Sequence, residues 1–498
     1  MKHIGLLLLC LCFQWVFSQE SKRPFKHYQK DFDYLLDLIE AHPNPYQYIS
    51  KYSLDSLIDS KRSQLGFVES DMEFYKLVAP VITAIHDGHS VVFPPRDIYE
   101  KVREDCGYFP YKLHLTDQDQ LYVLSNVCHQ ELPIPKGAEI IEIEGQPTRA
   151  FLESIDPFIS YESKPYRNSR ITERPLLHFY QVFEQCEDIE MTYRYIEEKR
   201  VVVENIEEKV YEDCKKEFPE PREELFENER PYEYREVADG IALLGIYSFA
   251  YGDRAFLSFL DDSFDQMKRD NIHSLIIDLR DNLGGNPQNA ARIFHYISQK
   301  SFRTMAKSRT KVSFPYRKSY LNSFPSTTNI SAYRYLGGKY IREVGEVLNG
   351  PIGSMVERDE IYTELPESRA NEFYGDVYCL INRKSFSAAS SFAASFQCYQ
   401  MGTLIGEPTG GTKVFNANAF YDRLPKTSIG VAMSSTQLFT SCYSEEIPQV
   451  MPDLLVQPTL IDLIHSNDSV LNFTVKYIRN VQKARQIERE KTQTTIEE

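Results

Sequence analysis

Residues 376–399 read DVYCLINRKSFSAASSFAASFQCY. An apolar run rich in strand-forming residues gives way, through Asn382 and Arg383, to a stretch of small residues holding five serines. That is the pattern of a buried strand turning into a helix that packs closely on a sheet. A serine at such a junction has two uses. It can be an N-cap, whose oxygen satisfies free backbone N–H groups at the helix start; this is the commoner use. It can also be a nucleophile, lying at the positive end of the helix dipole with the next N–H aimed at whatever it attacks. The segment by itself does not separate the two.

Working outward, strands and helices alternate from about residue 238. GIALLGIYSF and HSLIIDLR read as strands, FLSFLDDSFDQMKRDN and NAARIFHYIS as helices, and TLIGE follows the serine-rich helix. That alternation specifies an α/β domain. Upstream, residues 23–90 read as helices: Phe32, Leu35, Leu36 and Ile39 share one face before HPNP stops the first helix. Leu54, Leu57, Ile58 and Leu65 line a second, and Ser70 to Glu73 form a capping-box pattern opening a third. Residues 107–195 carry short alternating runs separated by turns, a β-rich pattern. Between the two lie thirteen acidic residues in positions 204–236, read as a solvated linker. Residues 300–342 carry ten Lys or Arg and no acid, interleaved with aromatics such as Phe302, Phe314 and Tyr316. They read as a surface loop, or as a cationic rim for an anionic group such as a peptide carboxylate. The polar end, QKARQIEREKTQTTIEE, reads as a frayed tail.

The chain has 498 residues, 42% hydrophobic and 26% charged, enough for two or three domains. A net charge of −16 argues against a general nucleic-acid binder. No zinc-like cysteine pair, P-loop or GxGxxG occurs. MKHIGLLLLCLCFQWVFSQ has the basic start and apolar middle of a secretory signal peptide, cut after about Ser18, so export to a periplasm or the outside is expected. Leu9 stands where a lipoprotein anchor at Cys10 would need a small residue. No later run is apolar enough to span a bilayer. Seven cysteines follow the leader; export permits disulfides, an odd number leaves one unpaired within the chain, and Cys106 with Cys128 is a plausible local bridge.

Two further stretches bear on the serine. In LIIDLRDNLGGNPQNAARIF, a strand ends near Asp278 and Gly284–Gly285 make a turn before a helix. Such a turn can present backbone N–H groups to an oxyanion, or can need glycine only for its dihedrals. In AIHDGHSVV, His86 and His89 flank an Asp-Gly turn. A histidine there is more often structural, yet a nucleophilic serine needs a base.

In order and spacing these motifs resemble the carboxyl-terminal processing (tail-specific) serine peptidases, with the tricorn core and the interphotoreceptor retinoid-binding modules as relatives. The likeness runs from about 25 to 465. It implies an α/β fold with a crotonase-like ββα catalytic domain at 238–465, an N-terminal helical bundle at 19–100 after a leader at 1–18, and a PDZ-like module at 101–200. An acidic linker at 201–237 and a C-terminal helix and tail at 466–498 complete the layout. GAEIIEIEGQPTRAF, 137–151, is similar to the PDZ pattern. Carried onto this chain, the nucleophile is Ser387, and the oxyanion hole is the N–H of Ala388 with Gly284 or Gly285. The turn that holds the lysine base of the bacterial enzymes reads GEPTGGTK; Thr412 occupies the lysine's position and Lys413 comes one residue late, which in a strand points the other way. The tricorn-like branch fits better. There His89 is the base, a late glutamate orients it (Glu446 by spacing, Glu445 as second choice), and Ser90 joins the relay.

The expected function is an exported serine peptidase acting on a polypeptide, held by the PDZ-like part and the basic insert near its carboxyl end. No metal or organic cofactor is implied. The competing class is a protein that keeps the scaffold to bind a peptide or a small apolar ligand without cleaving anything.

Overall fold

The computed structural model describes residues 23–105, 109–126, 133–185, 189–197, 200–207, 231–250, 253–322, 345–360, 363, 371–444, 446 and 448–497. At its centre is a six-stranded sheet in the order Leu454–Leu455, Thr403–Gly406, Asp376–Ile381, Ser274–Asp278, Ile241–Ile246, Tyr232–Ala238. The first five run parallel and the last is an antiparallel edge. Every residue of Ile241–Ile246 and of Ser274–Asp278 is buried. This is how parallel strands covered on both faces read in sequence, as unbroken apolar runs.

Alternate side chains serve two cores, because successive strand residues point to opposite faces. Leu244, Ile246, Leu275 and Ile277 pack against Phe256 and Leu260 of the helix Asp253–Arg269 and against Phe392 of the helix Ala388–Cys398. Leu243, Ile276 and Leu380 meet Val470, Leu471 and Ile478 of the long helix Ser469–Glu497 on the other face. That helix continues through residues expected to fray: a buried first half fixes it, and its polar second half extends as an exposed continuation.

The strands Ser274–Asp278 and Asp376–Ile381 are parallel neighbours, pairing Asp278 with Leu380. The loops that leave their C-terminal ends therefore lie side by side, and Phe386 N–H donates to the Asn282 carbonyl at 3.0 Å. In open α/β sheets this end is where ligands are handled.

Three other sheets occur among the described residues. The helices Phe25–Ala41, Lys51–Gln64 and Asp71–Thr83 form as the apolar spacing predicts, with Ser70 capping the third. They do not form an independent unit. Phe32, Leu35 and Val78 share one core with Ile140 and Ile143 of the β-rich module and with Phe420, Val431 and Met433. The strand Val91–Val92 pairs with Gly430–Met433, which carries the segment just before it to the edge of the central sheet.

The acidic stretch is shorter as a linker than its composition suggests. Arg200–Glu207 pairs residue for residue with Glu190–Glu197, and Tyr232–Ala238 is the edge of the central sheet. Charged residues on the open side of an edge strand are compatible with both. Residues 208–230 lie outside the described set, as do the leader, Cys106 and Cys128. The basic insert is likewise built in at its start: Met305–Lys311 is a strand between Met355–Asp359 and Thr436–Thr440, and Phe314–Asn322 is a helix. Its residues 323–342 lie outside the described set. A disulfide joins Cys398 to Cys442, and Cys379 is a buried free thiol.

Arg280 ties the long C-terminal helix to the sheet. It donates to Asp278 at 2.6 and 2.9 Å and to Asp468 at 2.7 and 2.8 Å. Arg280→Met leaves the buried Asp278 carboxylate without its cation and is expected to cost about 3 kcal/mol in urea unfolding. Asp468→Asn, at the more exposed partner, should cost less than a third of that.

Candidate active site

Only one of the five serines in the opening stretch is free to act. Ser385 Oγ donates to the Leu279 carbonyl, Ser390 and Ser391 Oγ both donate back to the Ser387 carbonyl, and Ser395 Oγ donates to the Thr304 carbonyl. Ser387 occupies the N-cap position of the helix, yet its side chain caps nothing. Its backbone sits at φ 53°, ψ −119°. A side chain in that region costs about 1–3 kcal/mol and persists only where its surroundings enforce it. Here the enforcing neighbour is Gly284, at φ 101°: a Cβ on Gly284 would lie 2.7 Å from the Ser387 Cβ.

Ser387 Oγ lies 3.1 Å from His89 Nε2, a contact spanning 298 positions. The imidazole is stacked between the rings of Phe386 and Phe415, with centroids 4.8 and 5.9 Å away. Gly88 is required by this packing, since a Cβ there would come within 2.7 Å of the Phe386 ring. On the far side of the imidazole, Nδ1 faces two carboxylates, Glu162 Oε1 at 3.7 Å and Asp87 Oδ1 at 3.8 Å. These are charge contacts, too long for formed hydrogen bonds. Nδ1 and Glu162 Oε1 are both buried, and neither has a hydrogen-bond partner among the described residues.

Each acid is held by its own donors. Asp87 Oδ1 accepts the His89 backbone N–H at 3.0 Å, and its Oδ2 accepts from Ser90 Oγ and faces His42 Nε2 at 3.0 Å. Glu162 Oε2 has the Thr412 N–H at 3.1 Å and the Thr412 hydroxyl at 2.9 Å. Thr412 thus stands where the resemblance would put a lysine, and it secures an acid. Ser163, next to Glu162, caps the helix Lys164–Glu173 and donates to the Gly410 carbonyl, fixing this loop to the same turn.

Burial alone would push the His89 imidazole down, but Asp87 and Glu162 outweigh it and raise it from 6.5 to about 9. Burial pushes Asp87 up, and His42 and His89 more than offset this, so its carboxyl lies well below the usual range. Glu162 is raised, because burial exceeds the help it gets from His89 and Thr412. Asp87, His89 and Glu162 bring three metal-type donor atoms within 4.8 Å of one another. The donor set fits a metal poorly, because Asp87 already accepts from Ser90 and from the His89 backbone.

Two backbone N–H groups beside Ser387, those of Ala388 and Gly285, have no acceptor among the described residues. The Gly284 N–H is spent on Asn282 Oδ1 at 2.8 Å. Of the two glycines offered by the sequence, Gly285 is therefore the one with a donor to spare.

Two other candidates, Glu446 and Lys413, are not brought in. Glu446 is exposed, and its backbone N–H donates to Ser444 Oγ; Glu445 lies outside the described residues. The disulfide holds Cys442 at the end of the nucleophile helix remote from Ser387, about 16 Å along its axis; Tyr443 and Glu446 are exposed, and the chain returns beside the site at Pro448–Gln449, where the Lys413 N–H donates to the Pro448 carbonyl and Gln449 pairs with Thr412. Lys413 is half-buried, which lowers its ammonium, and among the described residues no hydrogen bond or ion pair joins it to Ser387 or His89. Asp87 and Glu162 were missed by sequence reasoning. Asp87 lay in the DGH motif and read as a turn residue, while Glu162 carried only the weak signal of an acid just before a Ser-Lys-Pro helix start.

Residues 240–456 match the model of peptidase family S41. Crystal structures of mature CPAF, alone and complexed with lactacystin, superpose with TM-scores of 0.63 and 0.62 at 15% and 14% identity. Both alignments cover 92% of this chain, and they cover 97% and 98% of the other. The photosystem II D1 C-terminal processing protease aligns over 87% of this chain and 92% of its own at 12% identity, with a TM-score of 0.41. No curated protein matches the chain. No described helix is long and apolar enough to cross a membrane. Residues 240–456, the span that carries Ser387 and both glycines, are thus similar to peptidase family S41, a family of serine hydrolases.

Proposed function

We propose that this chain is an exported peptidase that cleaves polypeptides through an acyl-enzyme on Ser387. The observation that carries the reading is the 3.1 Å approach of Ser387 Oγ to His89 Nε2, made by the one serine of its stretch that donates to no backbone carbonyl. His89 Nε2 takes the hydroxyl proton as Oγ attacks the peptide carbonyl, and returns it to the leaving amine. Water then enters by the reverse proton path and releases the acyl group. The charge that develops on the carbonyl oxygen is met by the N–H groups of Ala388 and Gly285. The positive charge that develops on the imidazole is met by Glu162 and Asp87. The β-rich module serves as a PDZ-like holder for the chain being cut, and the catalytic part as a crotonase-like ββα unit. The leader at 1–18 supports export, testable by N-terminal sequencing of protein collected outside the cytoplasm.

The direct test is labelling of the mature protein by a fluorophosphonate probe, which reacts with activated serines. Labelling is expected in the wild type and is expected to vanish in Ser387→Ala and in His89→Ala, with circular dichroism unchanged. Labelling kept in His89→Ala would return Lys413 to the role of base. A wild type silent from pH 5 to 9, a range about as wide as the imidazole and amine bases demand, would favour a binding protein on this fold.

A further inference from the structure

The HPNP segment entered the sequence reading as a helix stop. In the structure His42 ends the helix Phe25–Ala41 and is fully buried, with its Nε2 3.0 Å from Asp87 Oδ2. Its other ring nitrogen, Nδ1, accepts the Asn44 backbone N–H at 3.1 Å. A nitrogen that accepts carries no proton, so the imidazole proton is on Nε2 and points at Asp87. His42 is thereby a neutral donor and cannot neutralise Asp87 as a cation would.

Asp87 is also fully buried, where an unpaired carboxylate would take up a proton. Three neutral donors hold it: the His42 Nε2–H, the Ser90 hydroxyl and the His89 backbone N–H. Ser90 is itself anchored, its oxygen accepting the Ser434 N–H at 3.1 Å. Asp87 Oδ1, besides accepting the His89 backbone N–H, faces His89 Nδ1 at 3.8 Å. The loop after His42 braces the other acid as well, since Tyr48 donates to the Thr412 hydroxyl oxygen, and Thr412 bonds Glu162.

We propose that His42 is a positioning residue for His89, acting through Asp87: its Nε2–H keeps the Asp87 carboxylate ionised and fixed beneath the DGH turn, so that the His89 imidazole is held against Ser387. This rests on the reading of His89 as the general base. The plain alternative is a buried histidine that satisfies a buried acid and matters only to stability.

The test uses the rate constant for fluorophosphonate labelling as a function of pH. His42→Phe keeps a ring and removes the donor; His42→Gln can restore an N–H toward Asp87. The groups that face this centre are His42, Asp87, His89, Glu162 and the Tyr48 hydroxyl, the last pushed up to about 12 by burial and by Glu162. We expect His42→Phe to slow labelling about 10–100-fold, the usual worth of an outer partner that orients a functional histidine. The pH at which labelling is half-maximal should fall, and His42→Gln should recover most of both. In an Asp87→Asn background, His42→Phe should cost nothing more. Labelling rates that are additive in that cycle, or a His42→Phe protein with wild-type rate and pH profile but a lower Tm, would overturn the proposal. If His42→Phe does not fold, His42→Asn, too short to reach Asp87, takes its place under the same criteria. Loss of labelling in His89→Ala alongside either of those results would sink the His42 role and leave the base assignment standing; full labelling in His89→Ala would sink the base assignment itself.

Discussion

Ser387→Ala and His89→Ala are each expected to lower the cleavage of dye-labelled casein by about 10⁵–10⁶-fold, and the double variant to be no worse than either. On the proposed mechanism the two side chains act as one unit: the hydroxyl is a poor nucleophile until Nε2 removes its proton, and Nε2 has nothing to activate without the hydroxyl. Their 3.1 Å contact is already short enough for that transfer. What survives in both variants is substrate binding and the Ala388 and Gly285 donors. The experiment therefore reads a non-additive pair. A tenfold loss in His89→Ala against a complete loss in Ser387→Ala would place the base elsewhere. Additive losses would mean that the two residues serve separate steps. Neither change should unfold the protein. Ser387→Ala relieves no clash with Gly284, and His89→Ala leaves Phe386 stacked on Tyr166, ring centroids 4.3 Å apart.

Which parts of this site were legible in the sequence follows from how each residue reaches it. Ser387 and the two glycines follow the ends of adjacent parallel strands, so strand-to-helix junctions with the right punctuation mark them, while the pairing of the two strands shows only in the fold. His89 was legible because its turn is short and a strand follows at once; the pairing of Val91–Val92 with Gly430–Met433 that delivers it was not. Glu162 reaches the imidazole through packing of the helix Lys164–Glu173 against the Gly410–Thr412 turn, some 250 positions away in sequence. No local pattern separates it from the other acids. Glu446 was favoured by spacing alone, and spacing does not show that this residue is exposed to solvent just before the chain comes back to Thr412 at Gln449. His42 hid in a helix stop for a similar reason. His-Pro explains the end of a helix by itself, and the buried acid it faces lies 45 positions on.

The pH dependence should carry the signature of the two buried acids. With His89 raised to about 9, the base is mostly protonated at pH 7, and kcat/KM for casein cleavage should climb about tenfold per pH unit until it levels near pH 9. Glu162→Gln removes one of the two charges that raise it. Its profile should level at lower pH, while the plateau falls by about 10²–10⁴-fold because the imidazolium of the transition state loses its counter-charge and the ring its orientation. The two effects oppose each other at pH 7, so a single neutral-pH assay would understate the change; the plateau is the quantity to compare. Stability moves in a definite direction too. A group whose pKa is higher folded than unfolded stabilises the fold fully below its unfolded value, and that contribution is lost as pH rises through the folded one. For His89 the window runs from 6.5 to about 9. Wild-type Tm should therefore decline across that range more than Glu162→Gln does, even as wild-type activity increases. A wild-type profile that levels near 6.5, with no extra decline in Tm above it, would mean that Glu162 and Asp87 do not hold the proton on His89, and the orienting acid would have to be sought again.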